Sequence, residues 1–109
     1  MKKAVVITIA LFVLAVALPA VAAVDGAALF AQKCAACHGK TGAADTPVAK
    51  AKNIKALGST DVQAKTDADL TEMIANGGKN KTKGHDFKSK GLNDEQIKSL
   101  VTFIRTLKK

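Results

Sequence analysis

The chain has 109 residues, enough for one small domain, and it carries 17 Lys and Arg against 9 Asp and Glu. It contains four Phe but no Trp or Tyr, and so few aromatic side chains argue against a protein that binds nucleic acid by stacking on bases. A domain of this size usually needs a metal, a disulfide or a cofactor to complete its core. The composition therefore predicts that a bulky non-protein group contributes to the fold.

Residues 1–23 have the order of a secretory signal peptide: two lysines, a long uncharged apolar run, a proline and then small residues. We expect cleavage after Ala22 or Ala23, which removes the two lysines and lowers the formal charge from +8 to +6. The uncharged stretch approaches the ~20 residues that span a bilayer, so an uncleaved N-terminal anchor is the alternative. Both interpretations place the remaining domain, residues 24–109, outside the cytoplasm, and we expect it in the periplasm.

The first predicted element of this domain is a helix that begins after Asp25, a residue type that caps helix N-termini well. An apolar run from Ala27 to Ala31 follows and leads into the only two cysteines of the chain, so we expect the helix to carry Cys34. Residues 39–65 are then rich in turn-forming residues, with one short helical piece predicted near residues 60–63.

A second predicted helix begins at Thr66, whose hydroxyl can accept a hydrogen bond from the amide of Asp69. It ends at Gly77 and Gly78, which can adopt the left-handed conformation that terminates helices. Its apolar face, at 3.6-residue spacing, contains Leu70, Met73, Ile74 and Gly77.

A polar loop with five lysines, residues 78–92, leads to a third predicted helix. Asn93 and Gln96 form a variant of the capping box at its start, and two lysines at the C-terminus suit its negative end. Its apolar stripe must pack on another element; it comprises Ile97, Leu100, Val101, Ile104 and Leu107, with Phe103 beside it. No stretch after residue 24 alternates with the period of a strand, so we predict an all-helical fold.

Cys34 and Cys37 stand three positions apart, and His38 follows directly. A disulfide between the two would close a loop too short to remove much unfolded-state entropy. A thioredoxin-like redox pair needs a preceding strand, which the sequence does not predict. A zinc site needs four ligands, and only His85 could join these three, with the adjacent Cys37 and His38 poorly placed around one tetrahedron.

Covalent attachment of haem explains this spacing. Each thiol can add to one vinyl group of the porphyrin, while the histidine one residue further reaches the iron. The haem would also supply the bulk that the sequence lacks. We therefore predict one covalently bound haem c, held by Cys34 and Cys37, with His38 as the proximal iron ligand.

The whole of residues 24–109 resembles a small bacterial class I c-type cytochrome. The matching parts are Gly26 and Phe30, then CAACHGKTG, DADLTEMIANGG and GLNDEQIKSLVTFIRTLKK. The resemblance implies three main helices plus loops packed around the haem, with the first and last helices crossing closely where Gly26 and Phe30 meet Phe103. It also implies a proline carbonyl that accepts the Nδ1 proton of His38, for which Pro47 is the candidate.

Class I cytochromes usually supply a methionine ligand from the loop before the last helix. Aligning Phe87 with the family pattern puts Gly84 at that position, and no methionine follows Met73. His85 lies one position away and is our preferred distal iron ligand. Met73 is the alternative, although its apolar helix face also suits core packing. The other candidates for the distal position are a lysine between Lys79 and Lys90 and an open iron site with no protein ligand.

The lysines of residues 79–90, with Lys33 and Lys40 beside the cysteines, predict either a solvated face or a docking surface for an acidic redox partner protein. An anionic membrane surface is a second candidate partner, nucleic acid is not one, and we expect a monomer. We predict a periplasmic single-electron carrier rather than an enzyme. The alternatives are a five-coordinate haem protein that binds a diatomic gas or peroxide, and a small haem subunit of a membrane redox complex.

Overall fold

The computed structural model describes residues 24–109, and the predicted signal peptide, residues 1–23, lies outside the described residues. The described part of the chain forms six helices and no strand. The helices are α1 (Gly26–Lys33), α2 (Ala35–His38), α3 (Pro47–Ala51), α4 (Thr60–Gln63), α5 (Asp67–Asn76) and α6 (Asp94–Thr106). The three longest are those predicted from the sequence, so the all-helical class is confirmed. Within residues 24–109, no helix has the length and apolar character needed to cross a membrane.

Side-chain caps begin α1 and α5 where the sequence predicts them. Asp25 Oδ1 accepts from the amide of Ala28 at 3.2 Å, and Thr66 Oγ1 accepts a matching bond at 3.1 Å. Each bond satisfies one of the amides that a helix start leaves without an intrahelical partner. Helix α5 ends at Gly77, whose φ of +84° is the predicted left-handed conformation.

The capping box predicted for α6 is complete, and the apolar stripe behind it is buried. Asn93 Oδ1 accepts from the amide of Gln96, and Gln96 Oε1 accepts from the amide of Asn93, both at 2.8 Å. The buried residues of the stripe are Ile97, Leu100, Val101 and Ile104. They form one core with Phe30 of α1 and with Leu70 and Ile74 of α5, so α6 packs against both of these helices.

Helix α1 crosses α6 at close range, and Gly26 makes this approach possible. A Cβ built on Gly26 would overlap the Ser99 carbonyl oxygen and lie 3.3 Å from the Phe103 Cβ. One turn further on, the rings of Phe30 and Phe103 lie 4.9 Å apart, centroid to centroid, and are tilted by 46°. The crossing implied by the family resemblance is therefore present.

Two local features differ from the sequence prediction. Cys34 lies at the junction of α1 and α2 rather than within a helix, because its φ of −122° departs from helical values. Helix α3 is not predicted from the sequence, although Thr46 caps it by accepting from the amide of Ala49 at 3.0 Å and Pro47 occupies its first position. The predicted short helical piece at residues 60–63 is present as α4.

Candidate functional site

An apolar cavity of about 260 Å³ lies inside the helical fold. Its lining from α5 and α6 consists of Leu70, Met73, Ile74, Leu100 and Ile104. A second part of the lining comes from residues 54–65, here called the 54–65 segment, and consists of Ile54, Lys55, Leu57, Val62 and Lys65. Cys34, His38 and His85 also line this cavity, so residues far apart in the sequence meet at one apolar space.

A second cavity of about 380 Å³ shares Cys34, His38 and His85 with the first. It adds Cys37 and three lysines, Lys33, Lys52 and Lys83. Because the two histidines line both cavities, they lie where the two spaces adjoin. Three lysines thus lie on the side of the site that holds Cys37.

The two cysteines are positioned by the junction of α1 and α2. Cys34 is half-buried and Cys37 is exposed, and both thiols are free. The amide of His38 donates to the Cys34 carbonyl at 2.9 Å, which places both residues at the same turn. Burial, and after it the neighbouring Cys37, raises the pKa of the Cys34 thiol to about 11, so this thiol is neutral at pH 7.

The rings of His38 and His85 lie 5.9 Å apart, centroid to centroid, and their planes are within 10° of parallel. A metal ion binds an imidazole nitrogen at about 2 Å, so adding the ring radii on both sides gives roughly 6 Å between the centres of two rings that share one ion. The observed separation therefore has the right length for two axial imidazoles.

Neither histidine ring is held by a hydrogen bond at Nδ1. Both Nδ1 atoms are buried without a partner among the described residues, so the predicted bond from His38 to the Pro47 carbonyl is not formed. Pro47 begins α3, where a carbonyl normally accepts from an amide of its own helix. Burial is the main cause that lowers the pKa of each imidazole. The neighbouring His85 lowers the pKa of His38 further, and Lys90 lowers the pKa of His85 further. Both rings are therefore neutral at pH 7, the form that binds metal.

The loop that carries His85 is attached to the end of α5. The amide of Phe87 donates to the Ile74 carbonyl at 3.2 Å, and the next residue makes a similar bond to α5 at 3.1 Å. Phe87 is buried, and the ammonium group of Lys90 lies 5.1 Å from the centroid of its ring. These contacts attach the loop to the C-terminal end of α5, beside the cavity that His85 and Phe87 line.

Met73, the alternative distal ligand, lines the first cavity but not the second. Its side chain packs toward the glycines that end α5, since a Cβ built on Gly78 would lie 3.0 Å from the Met73 Cε and 3.6 Å from its Sδ. Both candidate distal residues thus reach the apolar space. Of the two, His85 is the one whose ring lies parallel to His38.

Sequence patterns did not predict the 54–65 segment as part of the site. Its apolar contributions are Ile54, Leu57 and Val62, which are isolated among turn-forming and charged residues. Such spacing matches neither a helix nor a strand period, so only the presence of apolar side chains in a polar region could have indicated burial.

The residues present fit a covalently attached haem. Two thiols and two neutral imidazoles line the two adjoining cavities, and neither buried Nδ1 atom is bonded to another group of the described residues. Cys34 and Cys37 are the residues that could hold the porphyrin, and His38 and His85 are those that could bind its iron.

The chain is similar to known proteins in both sequence and structure. The model of the family described as cytochrome c matches residues 23–108. A solved structure, the KustC0563 c-type cytochrome, is similar to this chain with a TM-score of 0.66 and 30% sequence identity, over 78% of this chain and 99% of the other. No curated protein sequence matches. The chain therefore belongs to the cytochrome c family, whose members bind haem c covalently and are generally electron carriers.

Proposed function

We propose that this protein is a periplasmic single-electron carrier in which Cys34 and Cys37 hold one haem c and in which His38 and His85 are the two axial iron ligands. The observation that carries the proposal is the pair of parallel, half-buried imidazoles, neutral at pH 7, that line both cavities with Cys34, while Cys37 lines the second cavity beside them. A protein that binds a gas or peroxide would instead need one axial position without a protein ligand.

Haem iron supplies the one-electron chemistry when it is bound. The chain's own residues determine how much rearranges during that transfer. His38 and His85 would hold the iron in both oxidation states, and the apolar side chains of α5 and α6 that line the cavity would exclude water from the ring. Exposed Cys37 marks the edge of the site through which electrons would enter and leave.

The ligand pair also determines the range of the reduction potential. A methionine ligand raises the potential of a c-type cytochrome relative to a second histidine. With His85 rather than Met73 on the iron, we expect a potential below that of carriers with a histidine and methionine pair. Redox titration of the purified protein measures this quantity directly.

The test of the distal ligand compares optical spectra of the haem-loaded protein with those of His85→Ala and Met73→Ala. We expect no red charge-transfer band of methionine-bound ferric iron in the unmodified protein. His85→Ala should convert the iron to a high-spin form that binds CO rapidly once reduced, whereas Met73→Ala should leave both properties unchanged. Loss of a red band in Met73→Ala, with no effect of His85→Ala, would overturn the assignment.

The partner we propose is an acidic redox protein that docks on the lysines beside Cys37. Lys33, Lys52 and Lys83 line the cavity on that side. Of the five lysines in the neighbouring loop, Lys88 and Lys90 pair with acidic residues. The other three, Lys79, Lys81 and Lys83, form no ion pair with a carboxylate of the described residues. An exposed cluster of one charge sign steers an oppositely charged partner and produces a salt-dependent association rate.

This docking surface is tested by electron transfer to an acidic acceptor at several salt concentrations. Lys81→Gln and Lys83→Gln should lower the second-order rate constant and flatten its dependence on ionic strength. Lys98→Gln, on α6 and outside both cavities, is the matched control and should have little effect. Equal effects of all three changes would indicate net charge rather than a defined docking surface.

Export to the periplasm is the remaining part of the proposal, and it depends on residues 1–23. Cleavage after Ala22 or Ala23 predicts a mature mass equal to residues 23–109 or 24–109 plus one haem. Intact-mass measurement of the exported protein decides between this outcome and a retained N-terminal anchor, because the anchored form is heavier by the mass of the signal segment.

A further inference from the structure

The 54–65 segment forms one wall of the apolar cavity but has little helix packing of its own. Among the described helices, α1 packs on α6 and α2, α5 packs on α6, and α2 packs on α3, whereas α4 makes no comparable contact. Leu57 and Val62 reach the core only as half-buried side chains. The cavity itself separates much of this wall from α5 and α6, so apolar contact alone gives it weak support.

A polar network from α6 supplies the missing attachment, and Arg105 is its centre. Its Nε donates to Asp67 Oδ1 at 2.8 Å, its Nη1 donates to the Gln63 carbonyl at 3.0 Å, and its Nη2 donates to the Lys65 carbonyl at 2.6 Å. The planar guanidinium can make all three bonds at once because its five N–H groups diverge in a fixed fork.

The Gln63 side chain extends this network to the far end of the wall. Its Nε2 donates to the Leu57 carbonyl at 2.8 Å and to the Ile104 carbonyl of α6 at 3.0 Å. The backbones also meet here, since a Cβ built on Gly58 would overlap the Leu107 carbonyl oxygen. Carbonyl groups at both ends of the 54–65 segment are thus bonded, directly or through Gln63, to the last turns of α6.

From this geometry we infer that Arg105 is a positioning residue for the haem pocket: it binds the 54–65 segment to α6 and so keeps water away from the ring. The inference rests on the proposed function, because it takes the apolar cavity as the place of the haem. Arg105 does not line that cavity and acts through the segment that does.

The physical consequence is a change in reduction potential without a change of iron ligands. Solvent access and local dielectric control the potential of a haem, since water stabilises the oxidised form with its extra positive charge. Loosening the wall admits water and lowers the potential. His38 and His85 are carried by other segments and keep their places, so the axial-ligand spectrum stays the same.

The experiment combines hydrogen exchange with redox titration on the haem-loaded protein, for Arg105→Gln and Arg105→Lys. Protected amides of the wall, at Leu57, Gln63 and Ala64, report on its opening, since each donates to a backbone carbonyl. Loss of bonds to a charged group should speed their exchange by roughly ten- to a hundredfold. Amides within α6 should change less, and the potential should fall.

Arg105→Lys separates positioning from simple charge. Lysine keeps the positive charge but has no planar fork, so we expect it to recover only part of the slow exchange and part of the potential. Full recovery of the potential with exchange still fast would mean that the charge of residue 105 alone matters, and would overturn the inference.

A milder pair of variants covers the case in which Arg105→Gln fails to fold. Asp67→Asn removes the carboxylate that Arg105 binds, while Asp69→Asn removes a carboxylate from the same first turn of α5, where no such ion pair is formed in the described structure. Both changes weaken the favourable charge at the helix start equally. Faster wall exchange and a lower potential in Asp67→Asn alone support the inference.

Two further results would reject the inference. Unchanged exchange of the wall amides in Asp67→Asn and the Arg105 variants would show that the network does not hold the segment. Faster exchange with an unchanged potential would show that the wall does not control water at the haem. Absence of bound haem, or a spectrum unlike that of two axial histidines in the unmodified protein, would instead refute the proposed function, so the two failures are distinguishable.

Discussion

The imidazole planes of His38 and His85 lie within 10° of parallel. Two parallel axial imidazoles act on the iron d orbitals along the same direction and separate two orbitals in energy, whereas crossed imidazoles leave them nearly equal. We therefore expect the ferric haem-loaded protein to give a low-spin EPR spectrum with three resolved g values. A single signal at unusually large g would contradict the parallel arrangement.

The packing that sets the ring angle of His85 can be tested in the same spectrum. The buried ring of Phe87 lies 6.5 Å from that of His85, tilted by 38°, and packs beside it. Phe87→Leu removes part of this packing, and because the His85 Nδ1 has no hydrogen bond to hold the ring, we expect broader g values. Met73→Leu, also at the cavity, is the control and should leave the spectrum sharp.

The low-spin spectrum should persist in acid, because a proton must compete with iron for His85. Burial, and after it Lys90, lowers the pKa of the His85 imidazole below its usual 6.5, so the pH must fall further before protonation displaces the ring. Lys90→Gln removes one of these causes, the imidazole pKa rises, and the acid transition moves to higher pH. Because Lys90 is half exposed, solvent screening keeps this shift small.

An absorbance titration of the haem band measures the midpoint of this transition. Lys79→Gln is the control, because it removes the same charge from the same loop. Lys79 is not among the groups that lower the pKa of His85, so the midpoint of the acid transition should not move in this variant. A midpoint that moves to lower pH in Lys90→Gln would show that the sign of the electrostatic argument is wrong.

The crossing of α1 and α6 predicts a specific loss of stability at Gly26. In Gly26→Ala the new Cβ overlaps the Ser99 carbonyl oxygen, so the two helix backbones must separate. Overpacking of this kind costs about 1–3 kcal/mol in free energy of unfolding, and the better helix propensity of alanine offsets up to ~1 kcal/mol of it. Denaturant unfolding of the haem-loaded protein measures the difference.

Ala31→Val is the matched control for the Gly26 change. Ala31 lies on an exposed part of α1, so added volume meets solvent and only the lower helix propensity of valine remains, about half a kcal/mol. Equal losses in the two variants would mean that the close approach of the helices does not limit stability.

Local chemistry in the sequence was sufficient to predict the helix frame. Asp25, Thr66 and Asn93 each carry a side chain that can accept a hydrogen bond from a helix amide, and each forms the expected bond. The spacing of apolar residues in α6 likewise predicts which side chains are buried. These signals are local, so they do not depend on the rest of the fold.

The parts that were not predicted depend on contacts between distant residues. In the sequence, Arg105 is a basic residue near a helix C-terminus. Its neighbours along the chain do not indicate that its side chain donates to carbonyls about forty positions earlier. The parallel arrangement of His38 and His85 also depends on distant contacts. The sequence predicts both residues as ligands, but it does not predict the angle between their rings. Pro47 shows the opposite case, in which a family pattern predicted a bond that the structure lacks.

Gly84 provides a final test of how the distal loop is arranged. It occupies the position at which the family pattern has methionine, it lines the second cavity with His38 and His85, and a Cβ built on it would meet no atom within 4 Å. In Gly84→Met combined with His85→Ala, we expect the thioether to replace the lost imidazole. The result would be a red charge-transfer band and a potential above that of the unmodified protein.

The left-handed φ of +87° at Gly84 predicts that this substitution costs roughly 1–2 kcal/mol in stability. Asp86→Met with His85→Ala is the control, since Asp86 lines neither cavity and should yield a high-spin protein. High-spin iron in both double variants would show that residue 84 cannot reach the iron, and that the loop of this chain is arranged for histidine alone.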